Sequence, residues 1–208
     1  MIKLRDICVS FRNEKQESFF GKTRKQVLFN ISLNIAQGTC LGILGESGSG
    51  KSTLGRVICG MLKPDSGIYT LNDVEIYKSK SNKKILQEKL SIVFQDYTTS
   101  TNPRFKIKDI IAEGLSVYKK RTKKNIDLKK EIVHLLEMVG LDETFLNRFP
   151  HQLSGGQLQR VCIARAVACQ PEVILLDEAI SSLDAHTQVQ VMDLLKELKE
   201  KLNLRSEE

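Results

Sequence analysis

The period of apolar and polar positions changes several times along the 208-residue chain, and each change marks an element. "QVLFNISLNI", Gln26 to Ile35, alternates as a strand does and gives way to "AQG". "TCLGILG", Thr39 to Gly45, is a short apolar run, expected to form a further strand, that opens directly into a glycine-rich loop. "TLGRVICGML", Thr53 to Leu62, then repeats apolar residues at helical spacing. Further along, "PEVILLDEA" holds four consecutive apolar residues, Val173 to Leu176, the pattern of a short buried strand. "VCIARAVACQ" predicts an apolar helix. His186 to Leu202 predicts an amphipathic one with Val191, Leu194, Leu195, Leu198 and Leu202 on a single stripe.

The strand, loop and helix around residue 50 form the frame in which a phosphate motif carries meaning, and the loop reads Gly45-Glu46-Ser47-Gly48-Ser49-Gly50-Lys51-Ser52, followed by Thr53. It satisfies G-x-x-x-x-G-K-[ST] in full. Glycines let the backbone curl so that successive N–H groups face phosphate oxygens, and the positive end of the following helix adds to the attraction. Lys51 is then the residue for the β- and γ-phosphates of ATP, and Ser52 a ligand for Mg²⁺. The apolar run Val173–Leu176 ends in Asp177, placed to steady the metal, and Glu178, placed as general base toward a water attacking the γ-phosphate. "LSGGQLQR", Leu153 to Arg160, leads into the apolar helix as a helix start with bare N–H groups, which favours an anion.

"GESGSGKST", "LSGGQ" and "VILLDEAISSLD", in that order, resemble the nucleotide-binding subunit of an ATP-binding cassette (ABC) transporter. The resemblance implies an α/β fold: a P-loop ATPase core over residues 1–93 and 163–208 with an antiparallel β subdomain, and a helical subdomain over 96–160. It also implies head-to-tail pairing with a second cassette, in which Ser154, Gly155, Gly156 and Gln157 face the partner's ATP and Asp184 of "SSLD" crosses the interface. Gln95 in "IVFQD" matches the family's metal-contacting glutamine. Phe11 in "VSF" is the candidate for stacking on the base, with Phe19 and Phe20 as competitors. "FQDYTTSTNPRFKIKDII" is similar to importers of oligopeptides, dipeptides and nickel, the nickel branch most of all. The stretch "NEKQESFFGKTRKQ" resembles their second ATPase subunit, which implies a heterodimer. Tyr97 departs from that pattern, standing where those importers have proline, whereas Asn102-Pro103-Arg104 keeps it. Two permease subunits, an extracytoplasmic binding protein and a peripheral place on the cytoplasmic face of the membrane are implied in turn.

Composition adjusts this picture in three ways. At 41% hydrophobic and 27% charged the chain is ordinary globular material. No stretch approaches the roughly 18 apolar residues of a membrane span, and "MIKLRDICVSF" has no leader-like apolar block. Cys8, Cys40, Cys59, Cys162 and Cys169 form no C-x-x-C pair and are expected to be reduced core residues of a cytosolic protein. The net charge of +7 is concentrated in "YKKRTKKNIDLKK", Tyr118 to Lys130, where Asp127 is the one acid. A solvated face, anionic lipid and nucleic acid are its three readings. Nucleic acid ranks lowest because Tyr118 alone is there to stack, so no nucleic-acid partner is expected.

In an α/β sheet the helix of His186–Leu202 should return the chain to a parallel strand, but "RSEE" follows. The resemblance places there a central strand and a switch histidine, so the chain is read as truncated at its C-terminal end. Unpaired strand edges of about 1–3 kcal/mol per group, and hydrolysis lowered by about 10²–10³, are the expected consequences. A non-hydrolysing remnant is therefore one alternative. A soluble ABC ATPase acting on ribosomes or DNA is another, but it lacks here its usual second cassette or coiled-coil insertion.

Overall fold

Two long strands open the chain, burying Ile2, Leu4, Ile7, Val9 and Leu28 while Phe11 and Phe29 stay exposed. The computed structural model describes residues 1–12, 24–177 and 185–201. β1 (Ile2–Arg12) and β2 (Arg24–Ile35) pair antiparallel from Ile2↔Ile35 to Arg12↔Arg24. In β1 the buried residues are Ile2 and Leu4, then Ile7 and Val9, so the alternation slips by one residue at Arg5–Asp6. A bulge absorbs the slip: Asp6 has φ 52° and donates its backbone N–H to Ser32 Oγ at 3.0 Å, which keeps both apolar pairs on the core face. Gly67, at φ 98°, lies against this bulge, and a Cβ there would sit 2.5 Å from the Asp6 carbonyl oxygen.

α1 (Lys51–Ile58) buries Leu54, Val57 and Ile58. β3 (Ser66–Leu71) and β4 (Val74–Glu75) complete a four-stranded sheet in the order β2-β1-β3-β4. Two tyrosines fasten α1 to its surroundings. Tyr69, 1% exposed, donates to Ile58 O at 3.0 Å, and the Tyr77 hydroxyl is shared between the carbonyls of Val57 and Leu62 at 2.7 Å each. Ile58 O is one of the last-turn carbonyls that the end of a short helix leaves without a helical donor, Val57 O takes the Gly60 N–H at 3.0 Å as well, and Leu62 lies just past the helix. Burial raises the Tyr69 phenol and pushes Tyr77 up to about 12, so both remain donors at any ordinary pH.

α2 (Lys80–Lys89) contains the boundary between two compact units, Met1–Leu86 and a second within Gln87–Leu204. The second unit is built on helices: α3 (Ile107–Thr122), α4 (Leu128–Met138) and α5 (Gly155–Ala168). α5 is its centre, burying Leu158, Val161, Cys162, Ile163, Ala164, Val167 and Ala168 around most of its circumference. Gly114 of α3 lets the two helices close, since a Cβ there would run into the Arg165 carbonyl and lie 2.8 Å from Ala168 Cβ. β5 (Leu90–Val93) and β6 (Val173–Leu176) form a parallel pair in register Leu90↔Val173 to Val93↔Leu176. α6 (Ala185–Lys201) places Val191 and Leu194 in the same core, while Leu202 lies outside the described residues.

Two expectations need correcting. Residues 39–44 form no strand: no described strand pairs with them, and Leu41, Ile43 and Leu44 are 46%, 43% and 96% exposed. An apolar run becomes a strand only when a neighbour takes its N–H and C=O groups, and the run alone does not provide one. The cysteines are all free as expected, but Cys40 is exposed and only Cys162 and Cys169 are fully buried. Burial raises the Cys162 thiol, so it stays protonated and inert.

Candidate functional site

The glycine-rich loop enters α1 through Gly50, the helix N-cap, at φ 98°. Gly48 also has positive φ, at 83°, so the loop turns in a way that side-chain-bearing residues resist. At Gly50 the space is closed too: a Cβ would lie 2.8 Å from Leu28 Cδ2 and 3.2 Å from the Val27 carbonyl oxygen. No side chain caps α1, so the N–H groups of its first turn, Lys51 to Thr53, keep the vacant donors of any helix start. Lys51 Nζ donates to the carbonyls of Gly45 at 2.6 Å and Glu46 at 2.8 Å, which holds the ammonium across its own loop. Gly45, Glu46, Ser47, Ser49 and Ser52 are exposed, as ligand groups must be.

A cavity of about 430 Å³ runs from this loop to the β1–β2 hairpin. It is lined by Phe11, Arg12, Lys25, Gln26, Val27, Phe29, Gly48 and Ser49. Such a volume suits a small-molecule ligand. Phe11 is 39% exposed and stands opposite Lys25 in the β1–β2 register. Arg12, Lys25 and Phe29 were not singled out from sequence. The signal was present in the alternation of β2, because a buried Leu28 turns Phe29 outward, where it is 63% exposed. Phe19 and Phe20 lie outside the described residues.

In the second unit the ladder of β5 and β6 continues one step past its strands, through Asp177 N–H to Val93 O at 3.0 Å. Asp177 and Gln95 therefore leave the C-terminal ends of adjacent parallel strands, the edge at which α/β sheets place ligands. Gln95 is exposed, and Glu178 and Asp184 lie outside the described residues. Among the described residues no three acidic, histidine or cysteine side chains form a ready-made metal cluster. At this edge Gln95 offers a neutral amide oxygen and Asp177 a carboxylate, oxygen donors of the kind that hard divalent cations take.

Ser154 is the N-cap of α5, and the start of the helix is more self-contained than the sequence implies. Ser154 Oγ accepts the Gln157 N–H at 3.3 Å while Gln157 Oε1 accepts the Ser154 N–H at 3.0 Å, a reciprocal capping box. The expectation of bare N–H groups thus narrows to Gly155 and Gly156. Gln157 has its amide oxygen committed to the cap, whereas the Ser154 hydroxyl proton is still free to donate.

Tyr97, the residue that departs from the importer pattern, packs against this helix. Its hydroxyl lies 2.6 Å from where a Gly155 Cβ would stand. Its carbonyl accepts from Ser100 Oγ at 3.1 Å and Thr101 Oγ1 at 3.3 Å, and the Ser100 carbonyl accepts from Arg165 of α5 at 2.7 Å. Just before it, Asp96 Oδ1 takes the Thr98 hydroxyl at 2.5 Å and the backbone N–H groups of Thr98 and Thr99, chiefly through the Thr98 hydroxyl bond lowering its carboxyl to about 2. The segment after Gln95 is thereby fixed to the helix that begins at Ser154.

A glycine-curled loop leading into an uncapped helix is the phosphate cradle of P-loop nucleotide-binding proteins, and the chain is of that class. Residues 28–181 match the family model described as ABC transporter, and the chain belongs to that family. It is 40% identical over 200 residues to the metal-staphylopine import system ATP-binding protein CntF of Staphylococcus aureus, covering 96% of this chain and 77% of that protein. It is 45% identical over 199 residues to the oligopeptide transport ATP-binding protein OppF of Bacillus subtilis, covering 94% of this chain and 65% of that protein. Among solved structures, the dimeric cassette MJ0796 in a post-hydrolysis state bound to ADP and Pi superposes with TM-score 0.80 at 32% identity, over 97% of this chain and 84% of that one. The fold is the α/β cassette expected from the motifs. No described helix is long and apolar enough to cross a membrane.

Proposed function

We propose that the chain binds and hydrolyses ATP to drive an importer of metal chelates or short peptides. The observation that carries this reading is the cavity joining Phe11 to Gly48 and Ser49 of the phosphate loop, which suits a nucleotide with its base toward the hairpin. Phe11 stacks on the base, and the Lys51 ammonium transfers from its loop carbonyls to the β- and γ-phosphates. Ser52, Gln95 and Asp177 are the residues that would hold Mg²⁺, which when bound would supply positive charge to the phosphate oxygens. Glu178 is the base toward water. Residues 96–160 serve as the helical subdomain, and Ser154, Gly155, Gly156 and Gln157 meet the nucleotide of an opposing second ATPase, across an interface that Asp184 crosses. Two permease subunits and an extracytoplasmic binding protein complete the importer, with this subunit peripheral on the cytoplasmic face. The names of the CntF and OppF relatives support metal-chelate or peptide cargo, while nickel as the metal rests on the resemblance of "FQDYTTSTNPRFKIKDII" alone.

Titration with a fluorescent ATP analogue tests the nucleotide site. Lys51→Ala should weaken binding by tenfold or more, about 1.4 kcal/mol, and equal affinity of the two proteins overturns the assignment. Phosphate release from the chain assembled with its permease subunits, stimulated by either a nickel chelate or a peptide through the binding protein, identifies the cargo.

A further inference from the structure

The corner between α3 and α4 carries charge that the fold does not use. Lys119, Lys120, Lys123, Lys124, Lys129 and Lys130 are all exposed, and none joins any ion pair among the described residues. Asp127, the single acid within the stretch, is turned to its own helix, where its carboxylate accepts the Lys130 N–H and caps α4. Lys129 and Lys130 occupy the first turn of α4, where the helix dipole disfavours cations, so helix stability is not the reason for them.

The corner is also held in shape. Lys123 closes α3 in the left-handed conformation at φ 56° with its N–H on Lys119 O at 2.9 Å, and the Lys124 N–H reaches Thr122 Oγ1 at 3.3 Å. Arg121 is the exception among the basic residues. Its guanidinium bonds the carbonyls of Glu88 and Gln170 and lies 5.8 Å from the Tyr118 ring centre, which anchors the end of α3 and points the lysines outward as a group. Between the lysine clusters, Leu128 is 43% exposed.

We propose that this corner binds an anionic lipid leaflet directly, independently of the permease contacts. Clustered lysines next to an exposed leucine match a surface of negative headgroups over acyl chains. Nucleic acid is the poorer match, since Tyr118, the one aromatic of the stretch, is already covered by Arg121.

Flotation with lipid vesicles is the test. The chain should partition onto phosphatidylcholine vesicles containing phosphatidylglycerol and not onto phosphatidylcholine alone, and high salt should release it. Each lysine near such a surface contributes about fivefold to partitioning. Reversing Lys119, Lys120, Lys123 and Lys124 to Glu should therefore lower it by at least about 100-fold, and replacing the same four with Arg should preserve it. Fluorescent ATP binding at unchanged affinity serves as the folding control for each variant, because the lysines are not part of the nucleotide site. Absence of partitioning onto anionic vesicles, equal partitioning of the charge-reversed variant, or displacement from vesicles by duplex DNA at equal phosphate overturns the proposal.

Discussion

The four-stranded and the two-stranded sheets reach order by different routes. β1 and β2 are 11 and 12 residues long, adjacent in sequence, and alternate well enough that their own side chains set the register. β5 and β6 are four residues each, 83 residues apart in register, and leave Leu176 40% exposed. They owe their place to the helical core around α5, to which Val93 and Ile174 belong. A hairpin sheet carries its instructions locally, whereas a parallel pair depends on the helices packed against it. The phosphate loop is supported by the first kind of structure, and Gln95 and Asp177 by the second.

Mutations in each region test the contrast, beginning with the largest effect. Tyr69→Ala removes a fully buried ring and the hydroxyl that closes α1, and should cost about 3–5 kcal/mol in denaturant unfolding. Tyr69→Phe should lose only about 1 kcal/mol. If both sheets melt together under Tyr69→Ala, the two units are one cooperative block and the contrast fails. Gly114→Val forces α3 away from the Arg165 carbonyl and should cost about 1–3 kcal/mol. Its loss should appear first in hydrogen exchange of β5 and β6, with β1 and β2 little changed.

A smaller effect concerns Tyr97. Gly155→Ala meets the phenol and should cost about 1 kcal/mol. In a Tyr97→Ala background that cost should fall to near zero, a coupling that a double-mutant cycle measures directly; additivity refutes the contact. The smallest effect is in acid. The folded carboxyl of Asp96 titrates at about 2, below its ordinary 3.8, so its stabilisation is complete above the ordinary value and is lost as pH falls toward about 2. Asp96→Asn should flatten the pH dependence of exchange at Thr98 and Thr99 between those limits and leave it unchanged near neutrality.

What the sequence disclosed followed the same division. The phosphate loop, α1, β2 and the run ending in Asp177 were legible because glycine, lysine and alternation act over a few neighbouring residues. The Leu41–Leu44 run was misread as a strand, since pairing is not a property of the run itself. Phe29 and Lys25 were missed because only the hairpin register brings them to the mouth of the phosphate loop. Leu153–Arg160 was read correctly as a helix start, but its S-x-x-Q spacing, which already signals the reciprocal bonds between Ser154 and Gln157, was passed over in favour of bare N–H groups. Assignment of Gln95 and Asp177 to one sheet edge likewise required the long-range β5–β6 register.

That reciprocal bond between Ser154 and Gln157 has a thermodynamic consequence. A helix start that already satisfies its own cap has surrendered its backbone freedom during folding, so that entropy is not charged again when an anion arrives. An anion at Gly155 and Gly156, as proposed above, would then meet a fixed pair of donors. The strength of that encounter would be set mainly by the ligand's own charge and desolvation rather than by ordering of this helix start.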